Sequence, residues 1–174
     1  ITCYNSLGAS GANTKTLTVA GPLPPTVTTS SATLVNASGA TLNGSANPRL
    51  TSATGWFRYS ATNPVTCNDT FGTRVPATGG TALGSGSVSV PYSEVVTGLN
   101  SLTAYYFCAI SSNTGGMGVG SVLSFTTSNV PPTAAITIPS GDISSTQGAA
   151  VSFDGDGSDT DGTISAYEWR DGSC

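Results

Sequence analysis

Nine carboxylates, four cysteines and no histidine supply most of the reactive chemistry open to this 174-residue chain. Without histidine, Ser-His-Asp and Cys-His nucleophilic arrangements are excluded, as are metal sites built on imidazole. None of Cys3, Cys67, Cys108 and Cys174 lies in a Cys-x-x-Cys pair. An even count at wide spacing fits two disulfides better than a metal, with free thiols as the alternative. Asp154, Asp156, Asp159 and Asp161 crowd into one short segment. Such a cluster could offer oxygens to Ca²⁺, a hard cation, but the EF-hand register is not met. The competing reading, which we favour, is an Asp/Gly turn whose carboxylates cap backbone N–H groups, with no cofactor. Glu94 or Glu168 could in principle join an aspartate for glycoside hydrolysis. Nothing places two such groups on one cleft, so no enzymatic activity is expected.

The elements that must position these groups read as strands. Thr16-Leu17-Thr18-Val19, Thr26-Val27-Thr28, Ala32-Thr33-Leu34-Val35, Thr41-Leu42-Asn43, Val88-Ser89-Val90 and Val122-Leu123-Ser124-Phe125 alternate in polarity. Ser38-Gly39, Asn43-Gly44, Gly79-Gly80, Gly84-Ser85-Gly86 and Gly115-Gly116 punctuate them as turns. No window carries a helical apolar stripe, and short strands at this spacing predict an all-β sandwich. Only 8% of residues are charged and Lys+Arg number 5, which leaves little to bind a nucleic-acid backbone. No apolar run is long enough to span a membrane as a helix. Pro22-Leu23-Pro24-Pro25 and Val130-Pro131-Pro132 are stiff connectors. They divide the chain into 1–21, 22–128 and 129–174, of which only the middle segment is long enough for a complete sandwich.

That middle segment, over nearly all of 24–127, resembles a fibronectin type III-like domain of the bacterial kind. The resemblance rests on Pro24-Pro25-Thr26-Val27, on Gly39-Ala40-Thr41-Leu42-Asn43-Gly44 as strand B, on Trp56-Phe57-Arg58-Tyr59 as strand C and on Ser124-Phe125-Thr126-Thr127 as strand G. Gly98-Leu99-Asn100-Ser101-Leu102-Thr103-Ala104-Tyr105 looks like a tyrosine corner. It implies that Leu99 and Tyr105 lock a turn, the Tyr105 hydroxyl capping a carbonyl. In that register Tyr105, Phe107 and Ala109 face the core and Cys108 faces outward, where a bridge to Cys67 would tie the segment after strand C to strand F. Trp56, Arg58 and Tyr106 would share the outer face, either as a carbohydrate-stacking platform or packed against a loop or neighbouring domain.

The C-terminal segment resembles the first strands of a PKD domain or a related immunoglobulin-like module. The matching residues are Pro131-Pro132-Thr133-Ala134-Ala135-Ile136, Gly148-Ala149-Ala150-Val151-Ser152-Phe153, the Asp159-Thr160-Asp161-Gly162 stretch and Tyr167-Glu168-Trp169. Residues 1–20 resemble the last strands of such a domain, with Cys3 in the place of Cys108. The chain thus reads as immunoglobulin-like sandwiches in tandem with the terminal domain split between its ends. Cys3 and Cys174 of neighbouring copies would then lie on adjacent strands. Ile1 and Cys174 both read as mid-domain, which suggests processing or a piece of a longer chain. Asn36-Ala37-Ser38, Asn43-Gly44-Ser45 and Asn68-Asp69-Thr70 are glycosylation sequons, Asn43-Gly44 also fitting ordinary turn chemistry. The resulting expectation is an extracellular, cell-surface structural protein: a filament subunit joined head to tail to copies of itself, or an adhesin stalk. The alternative is a substrate-binding accessory module of a secreted polysaccharide-degrading enzyme, with glycans as partners.

Overall fold

Alternation of small apolar and hydroxylated residues builds the strands. In β2 (Gly39–Asn47) Ala40, Leu42 and Ala46 are buried while Thr41, Asn43, Ser45 and Asn47 stay half-exposed. In β6 (Val90–Thr97) Tyr92 and Val96 turn inward. With β1 (Thr26–Thr33) these strands form a three-stranded antiparallel sheet in the order β1-β2-β6. Its period-two burial marks a sheet with one face on a core and one in water.

The structure is a computed structural model that describes residues 21–138, 146, 152 and 154–168. The second sheet is centred on β3 (Ala53–Ser60) and β7 (Ala104–Asn113). β4 (Thr73–Val75) and β5 (Thr81–Gly84) flank β3, and β8 (Gly116–Val119) and β9 (Leu123–Thr126) successively pair with β7. The two sheets close a β-sandwich around Leu42, Phe57, Tyr92, Val96, Phe107 and Ala109. Phe57 and Tyr92 meet across it with ring centroids 4.9 Å apart. The Tyr92 hydroxyl donates to the Ile110 carbonyl at 2.9 Å, and burial pushes its pKa well up despite that bond. Gly55 makes room for the Tyr92 ring, since a Cβ there would sit 2.9 Å from ring carbons.

Beyond the sandwich, β10 (Thr133–Ile138) and β11 (Asp154–Ser158) form an antiparallel ribbon. No helix occurs among the described residues.

Three local expectations need correction. Asn43-Gly44 is not a turn but mid-strand, paired to Ser30 and Thr29 on one side and to Ser93 and Tyr92 on the other. Gly44 is there because a Cβ would lie 2.7 Å from that of Ala109 on the opposite sheet. The Ala32–Val35 alternation overruns its strand: β1 stops at Thr33 and Leu34 takes φ 51° in the turn. Val88 likewise lies outside β6 and is exposed. The proposed strands of residues 1–20, with Cys3, lie outside the described residues, as do Trp169 and Cys174.

Candidate functional site

The outer face of the β3–β7 sheet carries a disulfide, an ion pair and a cation–π contact side by side. Trp56 and Arg58 project from β3, and Cys108 and Ile110 from β7. Arg58 stands opposite Cys108 and Trp56 opposite Ile110. The connection between β3 and β4 folds back over them. Cys67 in that connection is bonded to Cys108 with S–S 1.91 Å. Asp69 follows two residues later, and its Oδ1 accepts from Trp56 Nε1 at 2.8 Å and from Arg58 Nε at 2.9 Å. Arg58 also donates to the Phe71 and Gly72 carbonyls at 3.1 and 3.2 Å. Arg74 lays its guanidinium 4.6 Å from the Trp56 ring centroid. Burial opposes the Asp69 charge, but hydrogen bonds from Arg58 and Trp56 and the charges of Arg58 and Arg74 prevail and lower its pKa.

Of the two readings of Trp56 and Arg58, this arrangement follows packing against a loop and not the stacking platform. Trp56 is only 6% exposed, and its ring is capped by Arg74 instead of being open to a sugar. Arg58 is spent on the loop. Tyr106 differs: it is half-buried and lines a groove of about 510 Å³ with Ser31, Asn63, Val65, Leu123 and Ser124.

The corner residues lie where the sequence puts them, with one change of chemistry. Leu99 and Tyr105 are buried, but the Tyr105 hydroxyl accepts from the Asn100 N–H at 3.0 Å and does not cap a carbonyl. The Asn100 carbonyl is served by the buried Thr127 hydroxyl at 2.6 Å. This corner lies at the exit pole of the sandwich, where the Ser128 N–H donates to the Asn36 carbonyl at 3.2 Å. The entry lies at the other end of β1, where Asn113 Nδ2 donates to the Leu23 and Pro48 carbonyls at 2.9 Å each.

The acidic segment is divided. Asp154 and Asp156 belong to strand β11, not to a turn, paired with Ile138 and Ala135 of β10. Gly157 faces Ile164 and Tyr167, which close over the ribbon and leave no room for a Cβ. Asp154 and Asp156 each accept from the next residue's N–H, at 3.0 and 2.8 Å. Asp159 and Asp161 do form a turn, with Asp159 Oδ1 accepting from the Asp161 N–H at 3.2 Å. Asp161 Oδ2 accepts from the Val130 N–H at 2.9 Å. That bond, followed by one from the Ser101 hydroxyl, holds its carboxyl below the ordinary range. Among the described residues no three carboxylates or cysteines gather as a metal site would require.

The sequons differ in the same way. Asn43 Nδ2 donates to the Ser31 carbonyl and the Thr33 hydroxyl at 2.9 and 3.0 Å. Asn68 Oδ1 holds the Thr70 and Phe71 N–H groups at 2.9 and 3.1 Å. Asn36 is exposed on the β1–β2 turn. Glu94 on β6 takes a long bond of 3.5 Å from Thr81, and no described contact brings it to Glu168.

No protein-family model matches the chain, and no curated protein is similar to it in sequence. Among solved structures it is similar to the sensor domain of the anti-sigma factor RsgI4 of Pseudobacteroides cellulosolvens. The longer form is 13% identical, covering 62% of this chain and 92% of that one with a TM-score of 0.41. The shorter form is 15% identical, covering 60% and 95% with a TM-score of 0.42. The solution structure is 13% identical, covering 72% and 92% with a TM-score of 0.43. So distant a similarity says nothing about what this chain binds.

Two functional contributors escaped the sequence. Thr29, buried on β1, accepts from the Ala109 N–H at 3.1 Å and so joins the two sheets. Thr127 secures the corner. Both sit in Thr-rich runs where nothing marks one threonine from the next.

Proposed function

We propose that the chain is part of a non-catalytic, extracellular structural protein whose units join end to end through strands shared between copies. In this reading residues 24–127 are a fibronectin type III-like spacer and the β10–β11 ribbon begins a PKD-like unit. A neighbouring copy's residues 1–20 complete that unit. The observation behind it is the ribbon itself. Two strands alone are marginal in water. Here the apolar side chains lie open, with Ile136 61% and Tyr167 62% exposed, beside a groove of about 690 Å³ lined by Ala135, Gly155 and Ile164. Added strands would satisfy edge and face together.

Two further features support the reading. Chain entry and exit lie at opposite poles, separated by the eight residues of β1, about 26 Å. Asp161, whose Oδ2 accepts from the Val130 N–H, ties the following ribbon to the connector at the exit pole. The Cys67–Cys108 bond fits an oxidising compartment such as the cell exterior. A head-to-tail contact of this kind propagates unless its rotation closes a ring.

Electron microscopy of the purified chain tests this, with filaments as the expected result. Gels without reductant should show a ladder in 17.2 kDa steps that collapses on reduction, from Cys3–Cys174 bonds between copies. Monodisperse particles running as one 17.2 kDa band would end the assembly reading. A single longer chain that reduction leaves intact would replace shared strands by covalent tandem repeats.

A further inference from the structure

We propose that the groove around Tyr106 binds a ring of a neutral, hydroxyl-rich oligosaccharide. The inference does not rest on assembly, because every lining residue belongs to one sandwich. Its about 510 Å³ falls within the size range of small-ligand sites. The lining has one aromatic side chain, apolar Val65 and Leu123, and the neutral polar groups of Ser31, Asn63 and Ser124. No charged residue lines it, so neither a phosphate nor a uronate finds a counterion there. An aromatic surface beside uncharged donors and acceptors matches a sugar ring, whose C–H face is apolar and whose rim is hydroxylated.

The polar groups are also uncommitted. Asn63 spends Oδ1 on the Val65 N–H at 2.9 Å. Its Nδ2, the Tyr106 hydroxyl and the Ser124 hydroxyl have no hydrogen-bond partner among the described residues. The rim is held ready. Val65, a β-branched residue, sits at φ 65° with its side chain 81% exposed. That conformation is costly and persists only where its surroundings impose it, as at binding sites. Here two bonds hold it, the Val65 N–H to Asn63 Oδ1 at 2.9 Å and the Thr66 N–H to the Pro64 carbonyl at 2.7 Å across Val65. A rim fixed before binding avoids the entropy of ordering a loop.

Isotope-labelled protein would be titrated with cellohexaose, xylohexaose and N-acetylchitohexaose, and with polygalacturonate as the anionic contrast. At least one neutral hexasaccharide should shift the amide resonances of Asn63, Val65, Tyr106 and Ser124 in a saturable way. Tyr106→Ala should weaken that binding by about tenfold, the loss expected of one stacked ring and its hydroxyl. Ser124→Arg, at an exposed position, should fill the groove and abolish binding without changing Tm. The proposal is overturned if none of the three neutral sugars shifts these resonances. It is equally overturned if polygalacturonate does so as strongly, or if Ser124→Arg binds like the parent.

Discussion

The sandwich and the β10–β11 ribbon are made of similar material, short runs of threonine, alanine, glycine and serine, and end in opposite states. In the sandwich each strand meets a facing layer, so Leu42, Phe57 and Phe107 have no exposed surface. In the ribbon the same alternation has one thin cover, Ile164 and Tyr167, and Ile136 stays open. Alternation specifies a strand; burial needs a second layer and something to hold it. On the β3–β7 sheet that hold is covalent on one face and hydrophobic on the other. This is why β7 is buried on both sides while β11 is not.

The largest effect should come from removing the covalent hold. Cys67→Ala with Cys108→Ala frees a loop spanning a separation of 41 residues, worth about 4 kcal/mol on the chain-entropy model. Denaturant unfolding should show that loss for the sandwich, while hydrogen exchange in β10 and β11 stays unchanged. Equal loss of protection in the ribbon would mean the two regions fold as one unit.

A single methyl group sharpens the contrast. Gly55→Ala drives a Cβ into the Tyr92 ring within the closed core and should cost roughly 1–3 kcal/mol. Gly157→Ala meets the side chains of Ile164 and Tyr167 at 2.8 and 3.0 Å and the Thr133 carbonyl at 3.3 Å. The two side chains must swing aside to make room, which the open ribbon allows, so the cost should stay under about 1 kcal/mol. Similar midpoint shifts for both variants would show the ribbon to be packed as tightly as the sandwich.

Acid should produce the smallest difference. Folding lowers the Asp69 pKa, so the folded state holds fewer protons than the unfolded chain and acid favours unfolding. The contribution is complete above the ordinary carboxylate value of 3.8 and vanishes as pH falls through the lowered folded value. Asp69→Asn should therefore melt below the parent at neutral pH, by about 1 kcal/mol for a partly buried pair that solvent still screens. The gap should close in acid. A gap that persists at low pH would assign the loss to geometry and not to charge.

How much of this was readable beforehand depends on whether the deciding contact is local. The alternation of β2, the glycine-marked turns at Gly79-Gly80 and Gly115-Gly116 and the partnership of Cys67 with Cys108 all follow from neighbours in sequence or from a strand register. So does the inward face of Tyr105, Phe107 and Ala109. Asn43-Gly44 misled because the dipeptide has the chemistry of a hairpin turn, while β1 and β6 pair with it from both sides. Packing of Trp56 against a loop was open from its outward register, but which loop was not legible, because that loop is polar with no apolar period of its own. Only the bridge to Cys108 and the carboxylate of Asp69 bring that loop down onto the ring. Asp154 and Asp156 read as turn residues by type, yet their alternation with glycine is also what a strand permits.

The placement of the disulfide has a mechanical meaning. Pulled from Thr26 and Thr126, an unbridged sandwich would pay out roughly 340 Å of extended chain. The bond between Cys67 and Cys108 removes a separation of 41 residues, roughly 140 Å, from that length. β1, β2 and β3 lie outside the bridged loop and can still peel away, while β4, β5, β6 and the first half of β7 stay within the tether. Such a unit yields in a bounded step, and reduction lengthens the step.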